Sequence, residues 1–259
     1  MGRIIFITSF KGGVGKTTLT ANLATALTVL GKSVLVVDAD YGNRCMDLVL
    51  GMENSSLFDS SDVIGGRIQA QNAIAVHETN KKLFFLAAPA ASGGALSATE
   101  TERVLAELKK KYDFVLVDSS AEDSEVYRAF ARSADDALVV SFHQSTAIRA
   151  AEKTASVLSQ LGFSNIRLVV NSYHKEAEEA GVLPSVLHII QRAHIKLLGV
   201  VPFDLSVTLV QEQGALPYCG GGRLKQYEAA TLNIAKRILG QPIPLLKDVY
   251  KPKKLKEYL

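Results

Sequence analysis

The stretch Ser9-Phe10-Lys11-Gly12-Gly13-Val14-Gly15-Lys16-Thr17-Thr18 follows a β-branched run, Arg3–Thr8, and leads into a helix-forming run, Lys16–Leu30. A strand before and a helix after form the context in which a glycine-rich loop cradles phosphate. Gly12, Gly13 and Gly15 let the chain wrap around Val14 with amide hydrogens turned inward. The helix N-terminus adds its partial positive charge, so the loop attracts β- and γ-phosphates. Lys16 supplies a full charge there, with Thr17 and Thr18 completing the cradle. The Thr17 hydroxyl is of the kind that ligates Mg²⁺, an ion that keeps its other positions for waters and phosphate oxygens.

Outward from this loop, short apolar runs alternate with helical patterns to the end of the chain. Ser33–Asp38, Lys82–Ala87, Asp113–Asp118, Asp136–Ser141, Asn165–Val170 and Lys196–Val201 read as further strands. Thr99–Lys111, Ser145–Leu161 and Leu224–Leu239 read as further helices. Nearly continuous apolar strands are those buried on both faces. The fold class expected is therefore α/β, a mostly parallel twisted sheet with helices on both sides. No repeat, low-complexity tract or long linker divides the chain before Gln241-Pro242-Ile243-Pro244, so one domain over residues 1–244 and a tail over 245–259 are expected.

Ligands in such sheets bind beyond the carboxyl ends of the strands, and several polar residues are expected there. The run Ser33–Val37 leads into Asp38-Ala39-Asp40. Phe114-Val115-Leu116-Val117-Asp118 buries four apolar residues before an aspartate that can hold a Mg²⁺-bound water. Later strands lead to Asn171 and to Pro202-Phe203-Asp204. His143 has no nucleophile motif near it and reads as a surface or strand-end residue.

Lys-Gly-Gly-Val-Gly-Lys-Thr-Thr, with Lys11 five residues before Lys16, resembles the deviant Walker A loop of the MinD/ParA ATPases, P-loop NTPases of the SIMIBI type. The resemblance implies ATP and Mg²⁺ as ligands and a homodimer when ATP is bound, with Lys11 reaching the partner's phosphates. It also implies that Asp40 orients the attacking water, that Asp38 supports the Mg²⁺ network, and that Asn171, Pro202 and Asp204 belong to the adenine pocket. Tyr41–Asn54 and Leu197–Pro202 resemble the MinD branch, which implies spatial regulation of cell division, slow hydrolysis and a cell-division regulator as partner.

This chain departs from the family pattern at three places. Phe10 stands where the general loop has glycine, which implies altered packing at a dimer seam. Ser119-Ser120-Ala121-Glu122 replaces Ser-Pro-Ala-Gly, and His143–Glu152 lacks the acidity of the MinC-facing helix.

Composition narrows the alternatives. The net charge of +3 resides in the last 15 residues, which hold five lysines, one Asp and one Glu. A charge-balanced body argues against a broad nucleic-acid footprint. Leu245, Leu246, Val249 and Tyr250 could form one apolar face of the tail and Leu255, Tyr258 and Leu259 another. Such faces suit either an anionic membrane surface or a solvated basic tail. Cys45 and Cys219 do not match the cluster cysteines of an iron-protein relative, and a reducing cytoplasm fits them best. A ParA-like DNA-partition ATPase, a flagellar-number ATPase and a degenerate nucleotide-binding module remain open.

Overall fold

The computed structural model describes residues 2–90, 96–216 and 225–250. Cys219, Leu224 and the tail from Lys251 onward lie outside the described residues. The strands are β1 (Arg3–Thr8), β2 (Val34–Ala39), β3 (Ala75–Val76), β4 (Leu83–Leu86), β5 (Phe114–Ser119), β6 (Asp136–Ser141), β7 (Ile166–Tyr173) and β8 (Lys196–Pro202). They form one sheet in the order β3-β4-β2-β5-β1-β6-β7-β8, parallel throughout except for the β3–β4 pair.

The helices are α1 (Lys16–Val29), α2 (Met46–Leu50), α3 (Ser60–Ile64), α4 (Ala70–Ala73), α5 (Ala98–Lys111), α6 (Glu125–Arg132), α7 (Ser145–Gln160), α8 (Lys175–Glu179), α9 (Val186–Ala193), α10 (Leu205–Glu212) and α11 (Lys225–Ile238). All seven expected strands and four expected helices are present. The additional helices have eight residues or fewer, too short to leave a decisive period in the sequence.

Alternation along each strand builds the two halves of the core. Ile4 and Phe6, Leu35 and Val37, Val115 and Val117, and Val139 face one layer, which α5, α6, α7 and α9 cover. Ile5 and Ile7, Val34 and Val36, Leu116, Leu138 and Val140 face the other, covered by α1 and α11. Gly199 in β8 permits close approach of α11, because a Cβ there would stand 2.4 Å from Cγ1 of Ile234.

One expectation is corrected at the end of the chain. Val249 and Tyr250 are buried in the core, and Leu245 and Leu246 pack against it, so they do not present a free apolar face. Leu246 touches both core layers, and with Leu245 it lies against β8, the strand at the sheet's edge. A turn in which the Leu246 carbonyl accepts the amides of Val249 and Tyr250 then brings Tyr250 edge-on to Tyr173, with centroids 5.6 Å apart. An unpaired sheet edge flanked by exposed core needs such a cover.

Candidate nucleotide site

Because β1 lies at the centre of the sheet, its loop opens between neighbouring strands whose carboxyl ends carry the acidic residues. Gly15 caps α1 in the left-handed region, with φ +82°. Any Cβ at that position would also stand 2.4 Å from Nδ2 of Asn171. The Asn171 amide reaches the loop from the end of β7 and donates to the Val14 carbonyl at 2.9 Å. The register irregularity between Val170 and Tyr173, with Ser172 at φ +48°, marks the bend in the strand beside it. The residue expected at the adenine pocket thus also braces the phosphate loop.

The two lysines of the loop differ sharply. Lys16 is 8% exposed. Its burial lowers its proton affinity, against the pull of Asp118 and Asp40. Lys11 is exposed and makes no hydrogen bond or ion pair with any described residue. Phe10, expected to affect a dimer seam, turns within this chain onto its own neighbours. It packs on Tyr127 at 5.2 Å, lies under Lys153 Nζ, and has its amide held by Thr154 Oγ1 at 3.0 Å. An aromatic side chain that can bury against another aromatic is held there by apolar contact, which anchors the start of the loop while Lys11 projects beyond it.

Asp38 and Asp118 are direct neighbours across β2 and β5, and both are buried. Burial, then the charge of its neighbour, pushes the Asp38 carboxyl up to about 8. Burial likewise raises Asp118 to about 6, although Thr17 Oγ1 at 2.7 Å and Thr20 Oγ1 at 3.0 Å both donate to it. Two carboxylates forced together out of water, beside a threonine hydroxyl and a buried ammonium, are a donor set suited to a hard divalent cation with phosphate. Asp40 is partly exposed, and its carboxylate accepts from Gly42 N at 3.3 Å and Asn43 Nδ2 at 3.1 Å. Thr20 was not singled out in the sequence, although its spacing of three from Thr17 puts both on one face of α1.

The remaining expected residues lie at the same edge. Pro202 ends β8, and Asp204 caps α10 by accepting from Ser206 N at 2.9 Å. Phe203, half exposed, stacks on His174 at 4.6 Å. His143 lies just past β6 and is buried rather than at the surface, its Nε2 accepting from His174 N at 3.0 Å. Burial, then the charge of His174, lowers its pKa to about 4. After Asp118, the turn is closed by its own serines. Ser119 Oγ donates to the Ser120 carbonyl and Ser120 Oγ to that of Glu122, leaving the Glu122 side chain exposed.

A family profile described as the CobQ/CobB/MinD/ParA nucleotide binding domain matches residues 5–217. The septum site-determining protein MinD of Bacillus subtilis is 37% identical over 250 residues, covering 95% of this chain and 92% of that protein. The solved MinC:MinD cell division protein complex of Aquifex aeolicus superposes with a TM-score of 0.87 at 31% identity, over 95% of this chain and 99% of that one. The septum site-determining protein MinD of Pyrococcus horikoshii, solved with Mg-ADP, gives a TM-score of 0.80 at 26% identity, over 94% and 100%.

Proposed function

We propose, from the premise that this chain belongs to the CobQ/CobB/MinD/ParA nucleotide-binding family, that its loop and acidic residues make it a MinD-like ATPase acting as an ATP-dependent dimerisation switch in cell division. ATP with Mg²⁺ is its ligand. Gly12 to Thr18 take the phosphates, and Thr17, Asp38 and Asp118 hold the cation, which would neutralise charge developing on the phosphoryl group. Lys16 stabilises the same charge from within, Asp40 orients the attacking water, and Asn171, Pro202 and Asp204 frame the base. Phosphoryl transfer asks for little more than positioning and charge stabilisation.

The observation that carries the dimer is Lys11: an exposed ammonium, without a partner among the described residues, projecting from a loop whose other lysine is buried. Leu205 and Leu209, one turn apart on α10 at the same edge of the sheet, are also exposed and offer apolar surface to a second copy. Dimerisation doubles any weak membrane contact made by the basic tail, and anionic lipid is the surface it would meet. A cell-division regulator would read the ATP-bound dimer. Among the described residues no helix is long and apolar enough to cross a membrane.

Light scattering on the full chain with ATP or ADP tests the switch. A dimer is expected only with ATP, persisting in Asp40→Ala and absent in Lys11→Ala, while Lys11→Ala keeps its ADP affinity. Sedimentation of the same samples with phosphatidylglycerol vesicles reads the membrane step. A Lys11→Ala protein that dimerises like the native chain would overturn the trans role of Lys11.

A further inference from the structure

At the amino ends of β1, β6, β7 and β8, away from the phosphate loop, the sheet closes over a cavity of about 590 Å³. At roughly 3.3 Å per residue, Arg3 and Ile5 on its wall stand about 17 and 10 Å along β1 from Thr8, where that loop begins. Three arginines line it, Arg3, Arg167 and Arg237, against one carboxylate, Asp136. Arg3 binds one of its oxygens through Nε and Nη2, and Asn165 Nδ2 binds the other. Neither Arg167 nor Arg237 hydrogen-bonds to this carboxylate.

Those two guanidinium groups are held in place along one side only. Arg237 gives Nε to the Ile243 carbonyl at 2.7 Å and Nη1 to the Leu198 carbonyl at 2.8 Å. Arg167 gives Nε to Asn165 Oδ1 at 3.0 Å, and its terminal nitrogens have no acceptor among the described residues. Burial first, and then the charge of Arg167, lower the proton affinity of Arg237, the sign of two cations that lack an anion between them. Leu138, Leu198, Ile238 and the Pro242–Pro244 segment make the rest of the wall apolar.

We infer that this cavity is a second ligand site, taking a small molecule with a carboxylate or phosphate group on an apolar body. Its volume falls within the range of small-molecule pockets, and its few fixed donors on an apolar lining follow their usual plan. Guanidinium forks positioned by backbone carbonyls are pre-organised for such an anion.

The test is calorimetry on the full chain saturated with Mg-ADP, so that the phosphate loop is filled, using hexyl phosphate and inorganic phosphate as probes. Hexyl phosphate is expected to bind about tenfold more tightly than inorganic phosphate. Arg167→Leu should weaken both by about tenfold, the worth of one charge-assisted hydrogen bond. Ile243→Trp, which fills the apolar part, should weaken hexyl phosphate alone. Unchanged Mg-ADP affinity in both variants confirms that they fold. If vesicles of phosphatidylglycerol also capture the protein in an Arg167-dependent way, the anion is a lipid headgroup; if they do not, it is a soluble metabolite. Equal affinity for the two probes, or an Arg167→Leu protein that binds like the native chain, would overturn the proposal.

Discussion

At the carboxyl ends of β1, β2 and β5, the carboxylates of Asp38, Asp40 and Asp118 gather near one buried lysine, whereas at the amino ends of β1, β6, β7 and β8 three arginines and one carboxylate line a cavity. The same parallel strands thus gather opposite excesses of charge at their two edges. The protein handles them differently. At the amino edge backbone carbonyls and Asn165 hold the guanidinium groups, so the charges are fixed by the fold itself. At the carboxyl edge Asp38 is raised by burial and by the charge of Asp118, and Asp118 by burial and by Asp40, which the threonine hydroxyls and Lys16 only partly offset. Conformational cost is stored where the function lies, since a cation and phosphates relieve it.

The largest effect expected from this contrast is a trade between activity and stability at Asp118. Asp118→Asn keeps an acceptor for Thr17 but removes a charge buried beside Asp38. ATP hydrolysis should fall by about 100-fold or more, the scale on which loss of one transition-state electrostatic contact is felt. The protein without nucleotide or metal should become more stable, by on the order of 1 kcal/mol, because a carboxyl raised above its unfolded value destabilises the fold at neutral pH. Phosphate release and thermal unfolding read the two halves. A variant that lost both activity and stability would show that Asp118 is chiefly a structural acceptor.

The two edges also differ in how far they could be read from sequence. The carboxyl edge was legible because its chemistry is contiguous: the loop is one uninterrupted stretch, and Asp38, Asp40 and Asp118 each follow directly on an apolar run. The amino edge draws on residues 3, 136, 165, 167 and 237, which no spacing rule joins; strand pairing and the packing of α11 on β8 bring them together. The packing of Phe10 within its own chain was illegible for a similar reason. Its partner Tyr127 lies on α6, so the inward turn of the ring depends on a packing contact that the loop motif does not contain. Val249 and Tyr250 show the converse case, in which amphipathic residues suited to a membrane serve equally well against an open sheet edge. Pattern alone cannot choose between two apolar partners.

A second prediction concerns His143, which stands between the loop after β7 and the Tyr173 ring that meets Tyr250. Its ring lies 5.0 Å from that of Tyr173 and stacks on His174. Its pKa of about 4 lies below the ordinary value of 6.5, so the folded protein favours the neutral ring. This contribution is intact above pH 6.5 and is lost as the pH falls from there toward 4. Relative to His143→Asn, the native chain should lose about 2 kcal/mol of stability between pH 7 and pH 5. Urea unfolding of both proteins at the two pH values measures the difference. Parallel curves would mean that the ring finds solvent when it protonates.

The smallest effect belongs to the amino edge and tests whether the two edges are energetically separate. In Arg3→Leu, Asp136 keeps only Asn165, and the Ile238 carbonyl loses the donor that ties the end of α11 to β1. The pair is partly exposed, with Arg3 at 40% and Asp136 at 13%, so solvent screens much of its attraction. A loss of about 1 kcal/mol in unfolding free energy is expected, with Mg-ATP affinity unchanged. Sites joined only through a well-packed sheet add rather than couple unless one of them can switch between two arrangements. A several-fold change in nucleotide affinity on removing Arg3 would show that the sheet transmits the state of one edge to the other, and the amino-edge cavity would then be a place from which the ATPase cycle could be controlled.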